Sequence, residues 1–153
     1  MYSSANLPVG YVLTDPTNYV CLPCLTINEY NDLVVKSSRR YVIGSGQTIT
    51  VKTGLKFVKF PSVTMTVDGG QQLMFYTEGE ARSLPGLFQE HGLRVIAPLS
   101  ITSHYDQELE IMVTNESKRE YVITKGEGIA LIHFTLTPKF EFPHMDDTVV
   151  GWR

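Results

Sequence analysis

Hydrophobic positions recur along the chain in short runs rich in Val, Ile, Thr, Tyr and Phe, and Gly, Pro, Asn, Asp and Ser separate these runs. Closely spaced runs of this kind are typical of an all-β sandwich or barrel. The pattern therefore predicts strands at residues 11–13, 18–21, 33–35, 41–43, 48–52, 55–60, 64–67, 72–76, 93–96, 108–113, 121–124 and 129–136.

One segment, residues 84–91, is predicted to be helical. Pro85 suits the first turn of a helix, and Ser83 is placed to cap it. Glycine-containing turns are predicted between the strands, because glycine supplies the positive φ that tight turns require. They lie at Gly44 and Gly46, Gly69-Gly70, Glu78-Gly79 and residues 125–128, and a further turn is predicted at residues 115–117.

Length and composition narrow the class of protein. The 153 residues suit one domain, and with 42% hydrophobic and 19% charged residues the chain should fold. Nucleic-acid binding is not expected, because the net charge is -3 and the densest basic group is only Lys36, Arg39 and Arg40. Apolar runs are too short for a membrane span and the N-terminus lacks a signal-peptide pattern, so we expect a soluble intracellular protein.

Cys21 and Cys24 form a single CxxC pair. Such a pair can be a redox motif, half of a zinc site, or coincidence. No second CxxC or His-x-x-x-His is present to complete four zinc ligands, and no helix is predicted after Cys24 to lower a thiolate pKa. We interpret both residues as buried or bystander thiols.

The last stretch, residues 138–153, breaks strand periodicity with two prolines and an acidic pair. We divide the chain into a β domain at residues 1–137 and a C-terminal arm at 138–153. Phe140, Phe142 and Trp152 would leave the arm with a large exposed apolar area, so we expect it to pack on another surface, such as a neighbouring subunit.

Residues 97–134, APLSITSHYDQELEIMVTNESKREYVITKGEGIALIHF, resemble the second half of the trimeric dUTPase family. Upstream, residues 52–55 and 30–33 resemble two further motifs, and Arg82-Ser83 followed by His91-Gly92-Leu93 resembles the phosphate loop and the strand after it. The likeness covers about residues 29 to 136. Within the second half, nine residues hold expected places, the matched positions: Ile101, Tyr105, Glu108, Leu109, Asn115, Gly126, Glu127, Ile129 and Ala130.

This resemblance implies a fold, an assembly and a set of ligands. The fold would be a jelly-roll or distorted β-barrel with one short helix, and the assembly a homotrimer with sites between subunits and exchanged C-terminal arms. Arg82 and Ser83 would contact phosphate and Tyr105 would pack on the deoxyribose. Asp32 would help to hold Mg²⁺ on the triphosphate.

Each of these residues also has a plainer interpretation. Arg82 and Ser83 suit the cap of the short helix, or an anion site at its N-terminus. Tyr105 suits a strand-edge tyrosine. Asp32 suits a turn or cap at the mouth of a strand.

The departures from the family fall on its chemistry. Thr102 stands where the family has the Asp that activates water, and a hydroxyl cannot accept a proton at pH 7 as a carboxylate can. Gly128 and Leu131 replace an Arg and a Gln of the fourth motif. The Gly-rich C-terminal motif is absent, although Trp152-Arg153 is similar to its aromatic-plus-Arg chemistry.

The resemblance with these departures indicates a catalytically inactive dUTPase-derived protein that acts in interaction or regulation and needs no cofactor. Viral origin is expected, because dUTPase-like proteins of DNA viruses include such cases, and the host cytoplasm or nucleus would then be its location. A first alternative is a divergent Mg²⁺-dependent dUTP pyrophosphatase in which Glu108 or Asp106 positions water. A second is a structural trimer, such as a virion component.

Overall fold

The computed structural model describes residues 6–25 and 32–146, which form a single, mostly β domain. Tyr30, Asn31, Trp152 and Arg153 lie outside these residues. Its strands are β1 (Gly10–Leu13), β2 (Cys24–Leu25), β3 (Asp32–Lys36), β4 (Tyr41–Ile43), β5 (Thr48–Lys52), β6 (Leu55–Lys59), β7 (Ser62–Thr66), β8 (Gln72–Ser83), β9 (Leu93–Ala97), β10 (Glu110–Asn115), β11 (Tyr121–Ile123) and β12 (Gly128–Pro138). One α-helix, α1 (Pro85–His91), and two short 3₁₀ helices, Tyr19–Cys21 and Asp68–Gly70, complete the described elements.

The strands pair antiparallel throughout the described residues. The largest sheet has five strands in the order β2-β3-β12-β8-β7, and a second has the order β5-β10-β9. Two smaller pairs, β1-β6 and β11-β4, complete the fold. This arrangement is the predicted jelly-roll with one short helix, and the fold prediction is confirmed.

The core lies between the sheets, because alternate residues of each strand point inward. Ile132 and Phe134 of β12 are buried against residues from the other sheets, including Val51 and Ile111. The rings of Phe57 and Phe134 meet edge to face with centroids 5.4 Å apart. No helix among the described residues is long and apolar enough to cross a membrane.

The strand predicted at residues 18–21 is wrong, because the chain there turns into the 3₁₀ helix Tyr19–Cys21. Its backbone bonds are local: Cys21 N donates to Asn18 O at 3.2 Å and Leu22 N to Tyr19 O at 3.2 Å. The apolar side chains of this segment suggested a strand, but nearby main-chain acceptors satisfy its N–H groups without a partner strand.

The turn predicted at Glu78-Gly79 is also wrong, since both residues lie inside the long strand β8. Gly79 N donates to Ile101 O at 2.8 Å, so the backbone there continues as sheet. A Cβ at position 79 would lie 2.7 Å from a ring carbon of Phe134. Glycine is therefore required here for close packing and not for a turn.

The predicted helix is confirmed at Pro85–His91, but Ser83 does not cap it. The N-cap residue is Leu84, with no side-chain capping bond, and the Ser83 hydroxyl accepts the Val95 N–H at 2.9 Å instead. Gly92 ends the helix at φ 70°, the left-handed conformation that glycine adopts without strain.

The described part of the predicted arm has no regular structure after Pro138. Phe140 and Phe142 are exposed, the latter at 92% of its surface, so they do not pack on this subunit. A neighbouring subunit therefore stays the expected place for their burial.

Both cysteines are free thiols in the structure. Cys21 is buried, and that burial raises the pKa of its thiol above the ordinary value. Cys24 is exposed on β2. These positions agree with bystander thiols, one in the core and one at a sheet edge.

Candidate functional site

Strand β12 brings Asp32 and Arg82 to one face of the sheet, whereas Ser83, opposite buried Ala130, lies on the other face. Strand β12 lies between β3 and β8, with His133 opposite both Asp32 and Glu80. Leu131, two residues earlier, is opposite Arg82. Because residues two apart on a strand share a face, these side chains occupy one polar face of the five-stranded sheet, which we call the β12 face.

Charged groups on the β12 face already have partners. The Asp32 carboxylate lies 2.5 Å from His133 Nδ1, and each of the two side chains keeps 26% of its surface exposed. Arg82 Nε donates to a Glu80 carboxylate oxygen at 2.8 Å. The carboxylate and the guanidinium of the candidate site are therefore engaged within the subunit.

The described residues contain no ready-made cluster of metal-ligating side chains around Asp32, so its role toward Mg²⁺ stays a prediction. Mg²⁺ prefers several oxygen ligands in octahedral geometry. Among residues 6–25 and 32–146, no group of three or more His, Cys, Asp or Glu side chains is arranged to hold a metal. Asp32 instead forms its close contact with an imidazole.

His133 and Glu80 are not among the predicted site residues. Apolar alternation predicts His133 only as a polar, outward residue of the strand at 129–136, whereas Glu80 follows the turn predicted at Glu78-Gly79 and lies outside the predicted strands. Their proximity to Asp32 and Arg82 follows from the pairing of β3, β12 and β8, which joins residues about 100 positions apart, such as Asp32 and His133. The only sequence signal is the period-2 placement of charges on strands that become neighbours.

Thr102 lies in a loop on the side of β8 away from β12. The preceding residue, Ile101, is buried and forms a β-bridge with Gly79. The Thr102 hydroxyl accepts the His104 N–H at 3.2 Å, and its carbonyl accepts the Tyr105 N–H at 2.9 Å. Thr102 therefore serves as a turn residue here.

Tyr105 is partly buried against the core. Its hydroxyl accepts the Glu110 N–H at 3.4 Å, a long hydrogen bond. No hydrogen bond or ion pair of the described chain joins residues 102–108 to Asp32, Arg82 or Ser83. One subunit thus brings the β12 face together and leaves the Thr102 loop apart from it.

Two carboxylates close to Thr102 in sequence have different surroundings. Asp106 forms an exposed ion pair with Lys56 Nζ at 2.8 Å, and this contact lowers the pKa of Asp106. One oxygen of Glu108 accepts the Thr14 hydroxyl at 2.8 Å. The other oxygen, Oε2, is buried without a hydrogen-bond partner among the described residues.

Asn115 is a matched position with a structural role. Its buried amide donates to Ile43 O at 3.0 Å and to Arg119 O at 2.8 Å. Its side-chain oxygen accepts the Ser117 N–H at 3.0 Å. The side chain therefore closes the turn between β10 and β11 and ties it to β4.

Glu127 closes the next turn in the same way. Its carboxylate accepts the Thr124 N–H at 2.9 Å and the Tyr121 hydroxyl. Burial, followed by the bond to this carboxylate, raises the pKa of Tyr121 above its ordinary range. Gly126 holds φ at 85° in the same turn.

Comparison with solved structures decides the fold. The dUTPase of Staphylococcus bacteriophage 80alpha aligns with a TM-score of 0.71 and 14% identity, over 94% of this chain and 99% of that one. The dUTPase of Streptococcus mutans gives 0.64 and 19% over 88% and 99%. EIAV dUTPase gives 0.65 and 14% over 94% and 100%. The chain has the dUTPase fold.

Sequence comparison finds a similarity to a dUTPase over part of the chain. Over 71 residues it is 32% identical to the deoxyuridine 5'-triphosphate nucleotidohydrolase of Wolbachia pipientis. The match spans about half of either protein, 46% of this chain and 46% of the relative. No family model matches the chain.

Proposed function

We propose that this dUTPase-like chain is catalytically inactive and acts as an interaction or regulatory protein derived from a dUTPase. The observation that carries the proposal is Thr102 at the place of the water-activating carboxylate, held in a local turn. A threonine hydroxyl does not accept a proton at neutral pH, so general-base activation of water has no group at this position.

The division between retained and replaced residues supports the proposal. Several matched positions serve the fold: Ile101 and Leu109 are buried in the core, and Asn115 and Glu127 close turns. The replaced positions, Thr102, Gly128 and Leu131, are those to which the resemblance assigns chemistry. A chain with this division keeps its architecture without the reaction.

The contacts of the nucleotide-binding candidates support the proposal that this chain has lost nucleotide binding. The Ser83 hydroxyl is occupied by Val95 N, and Arg82 by Glu80. Triphosphate binding would have to break the Arg82 ion pair and would place the ligand beside the Glu80 carboxylate. We propose that Arg82, Ser83 and Tyr105 are vestigial, and that Asp32 pairs with His133 instead of holding a metal.

One observation favours the alternative of a divergent dUTP pyrophosphatase. Glu108 Oε2 is buried and unpartnered, and a carboxylate oxygen in that state could accept a hydrogen bond from water. Asp106 is a poorer substitute, because Lys56 already occupies its carboxylate. The alternative therefore depends on Glu108, with a magnesium ion brought by the nucleotide.

For the assembly, we propose a homotrimer whose C-terminal arms, residues 138–153, pack on neighbouring subunits. Exposed Phe140 and Phe142 support an arm that is buried only in an assembly. The proposed source is a DNA virus and the proposed location the host cytoplasm or nucleus. A structural trimer is the remaining possibility if no regulatory partner binds.

The first experiment assays pyrophosphate release from dUTP with Mg²⁺, together with calorimetric titration of a non-hydrolysable dUTP analogue. We expect neither turnover nor binding from the wild-type protein, with a light-scattering mass of three subunits or a whole multiple of three. Turnover that is lost in Glu108→Gln and kept in Asp106→Asn would replace this proposal with the pyrophosphatase alternative.

The second experiment restores the missing carboxylate with Thr102→Asp. We expect no dUTPase activity, because Gly128 and Leu131 still lack the polar groups of the fourth motif. Thr102→Asn is the matched control, since it has the same shape as aspartate without the charge. Pyrophosphate release by the Asp variant alone would contradict our account of the site.

The third experiment deletes residues 146–153. We expect a weaker assembly, seen as a lower mass by light scattering at the same concentration and a lower melting temperature. If the arm has no docking function, the truncated protein will match the full chain in both measurements.

A further inference from the structure

One edge of the five-stranded sheet is open in the described chain. Strand β7 pairs with β8 on one side only and is the last strand of that sheet. Its sequence, Ser-Val-Thr-Met-Thr, contains neither a charge nor a proline. Natural edge strands usually carry such groups to prevent pairing with other chains, so this edge lacks the common protection.

The direction of the free backbone groups on β7 follows from two hydrogen bonds. Met74 O accepts from Lys139 N at 2.8 Å, on the side of β8 away from β7. Thr64 is opposite Met74, so it occupies a pair without mutual hydrogen bonds. Val67 N donates to Gln71 O at 2.8 Å, so the odd-numbered residues of β7 are the ones that form hydrogen bonds with β8. The N–H and C=O groups of Ser62, Thr64 and Thr66 therefore point outward.

Exposed apolar side chains flank this edge. Met65 and Leu73 form a cross-strand pair on the face that continues from the core, and Val63 and Phe75 form the next pair. Met65 is 52% exposed and Leu73 36%. On the opposite face Met74 is also exposed. The end of the β7-β8 hairpin thus presents unpaired backbone groups and apolar side chains together.

We propose that β7 pairs antiparallel with β7 of a second copy of this chain, around a two-fold axis at Thr64. In this register the three outward-pointing residues of one strand meet the three of the other: Thr64 faces Thr64, and Ser62 faces Thr66 in both directions. All outward N–H and C=O groups of the two strands are then paired. The sheet becomes continuous across both copies.

In this register, the side chains that meet across the two copies are also compatible. Val63 of one copy is opposite Met65 of the other, so each row across the joined sheet reads Leu73, Met65, Val63 and Phe75, all apolar. On the other face, Thr64 meets Thr64 between the two Met74 side chains. Threonine pairs and apolar pairs are favourable cross-strand neighbours, and no like charges are brought together. This self-complementarity selects a second copy over an unrelated extended peptide.

The decisive test uses charge at the two-fold axis. Thr64→Lys and Thr64→Glu each place two like charges opposite one another, and we expect each to weaken self-association about tenfold or more. Mixing the two variants places Lys opposite Glu and should restore the larger mass, seen by analytical ultracentrifugation of the full chain. Thr50→Lys, at an exposed threonine on the edge strand β5, is the matched control and should leave the mass unchanged.

A second variant tests the hydrogen bonds without charge. Thr64→Pro removes an outward N–H that β8 does not use, so we expect the folded subunit to persist by circular dichroism while the mass falls to that of Thr64→Lys.

Three results would overturn the proposal. They are a wild-type mass equal to that of Thr64→Lys at all concentrations, a Lys and Glu mixture no heavier than its components, and binding of a foreign extended peptide at β7 in place of a second copy. None of these measurements depends on nucleotide binding, so they stand apart from the proposed function.

Discussion

Two polar regions of this chain differ in what their side chains contact. In the first, residues 115–128, Asn115 and Glu127 bond to main-chain groups of the turns around them. In the second, residues 101–108, the Thr102 side chain accepts one hydrogen bond, from the N–H two residues ahead. The resemblance to dUTPases marks both regions, but the Asn115 side chain reaches a main-chain group of another strand, whereas the Thr102 hydroxyl bonds only within its own turn. This difference agrees with the proposal that residues required by the fold persist in this chain while residues required only by the reaction are replaced.

Asn115→Ala is the strongest test of the first region. It would leave the buried carbonyl of Ile43 without its donor and release the turn at Ser117. We expect a loss of about 3 kcal/mol in the free energy of unfolding, since each unsatisfied buried polar group costs roughly 1 to 3 kcal/mol. Chemical denaturation followed by circular dichroism measures this loss.

Asn18→Ala is the matched control for this substitution, because its side chain makes no capping hydrogen bond. The control should change stability by no more than about 0.5 kcal/mol. Equal effects of the two substitutions would mean that the hydrogen bonds of Asn115 do not stabilise the fold.

The contact between Glu127 and Tyr121 tests the structural role of the first region through the pH dependence of stability. The raised pKa of Tyr121 means that folding favours its protonated form, so this contribution is complete below about pH 10, the value of a free tyrosine. It is lost as pH rises above that value. We therefore expect Tyr121→Phe to flatten the alkaline decline in stability, measured as unfolding midpoints between about pH 9 and 11.

Tyr11→Phe is the control for the pH experiment, because Tyr11 is exposed on β1. It should leave the alkaline decline as in the wild type. A decline of the same slope in Tyr121→Phe would show that the Glu127 contact does not govern this titration.

Much of the fold follows from the sequence, because alternating apolar residues predict most of the strands to within one or two positions. The segment at residues 41–43 is strand β4 as predicted, and residues 48–52 are β5. The largest error concerns the length of β8, and its cause is long-range packing. The local turn signal at Glu78-Gly79 is overridden, since Gly79 pairs with Ile101 and admits the ring of Phe134.

The candidate site was less predictable than the fold. A motif comparison locates Asp32, Arg82 and Thr102 along the chain, but their partners depend on strand pairing. His133 meets Asp32 only because β12 adopts one particular register beside β3. A shift of one residue would move His133 to the other face of the sheet. Sequence pattern alone does not fix that register.

Thr102→Ala should have the smallest effect, although it alters the position where the resemblance places the reaction. The Thr102 hydroxyl forms one 3.2 Å hydrogen bond in a partly exposed turn, so we expect its removal to change the free energy of unfolding by no more than about 0.5 kcal/mol. Thr53→Ala is the comparator, because that buried hydroxyl donates to Leu109 O at 2.7 Å and its loss should cost roughly 1 to 3 kcal/mol.

Denaturation curves of the two threonine variants decide whether the second region has a structural role. If Thr102→Ala were as damaging as Thr53→Ala, the Thr102 loop would belong with Asn115 and Glu127 among the parts that hold the backbone. The threonine at this position would then have a structural reason. A small effect would show that the fold gains nothing from threonine there, in agreement with the proposed loss of the reaction.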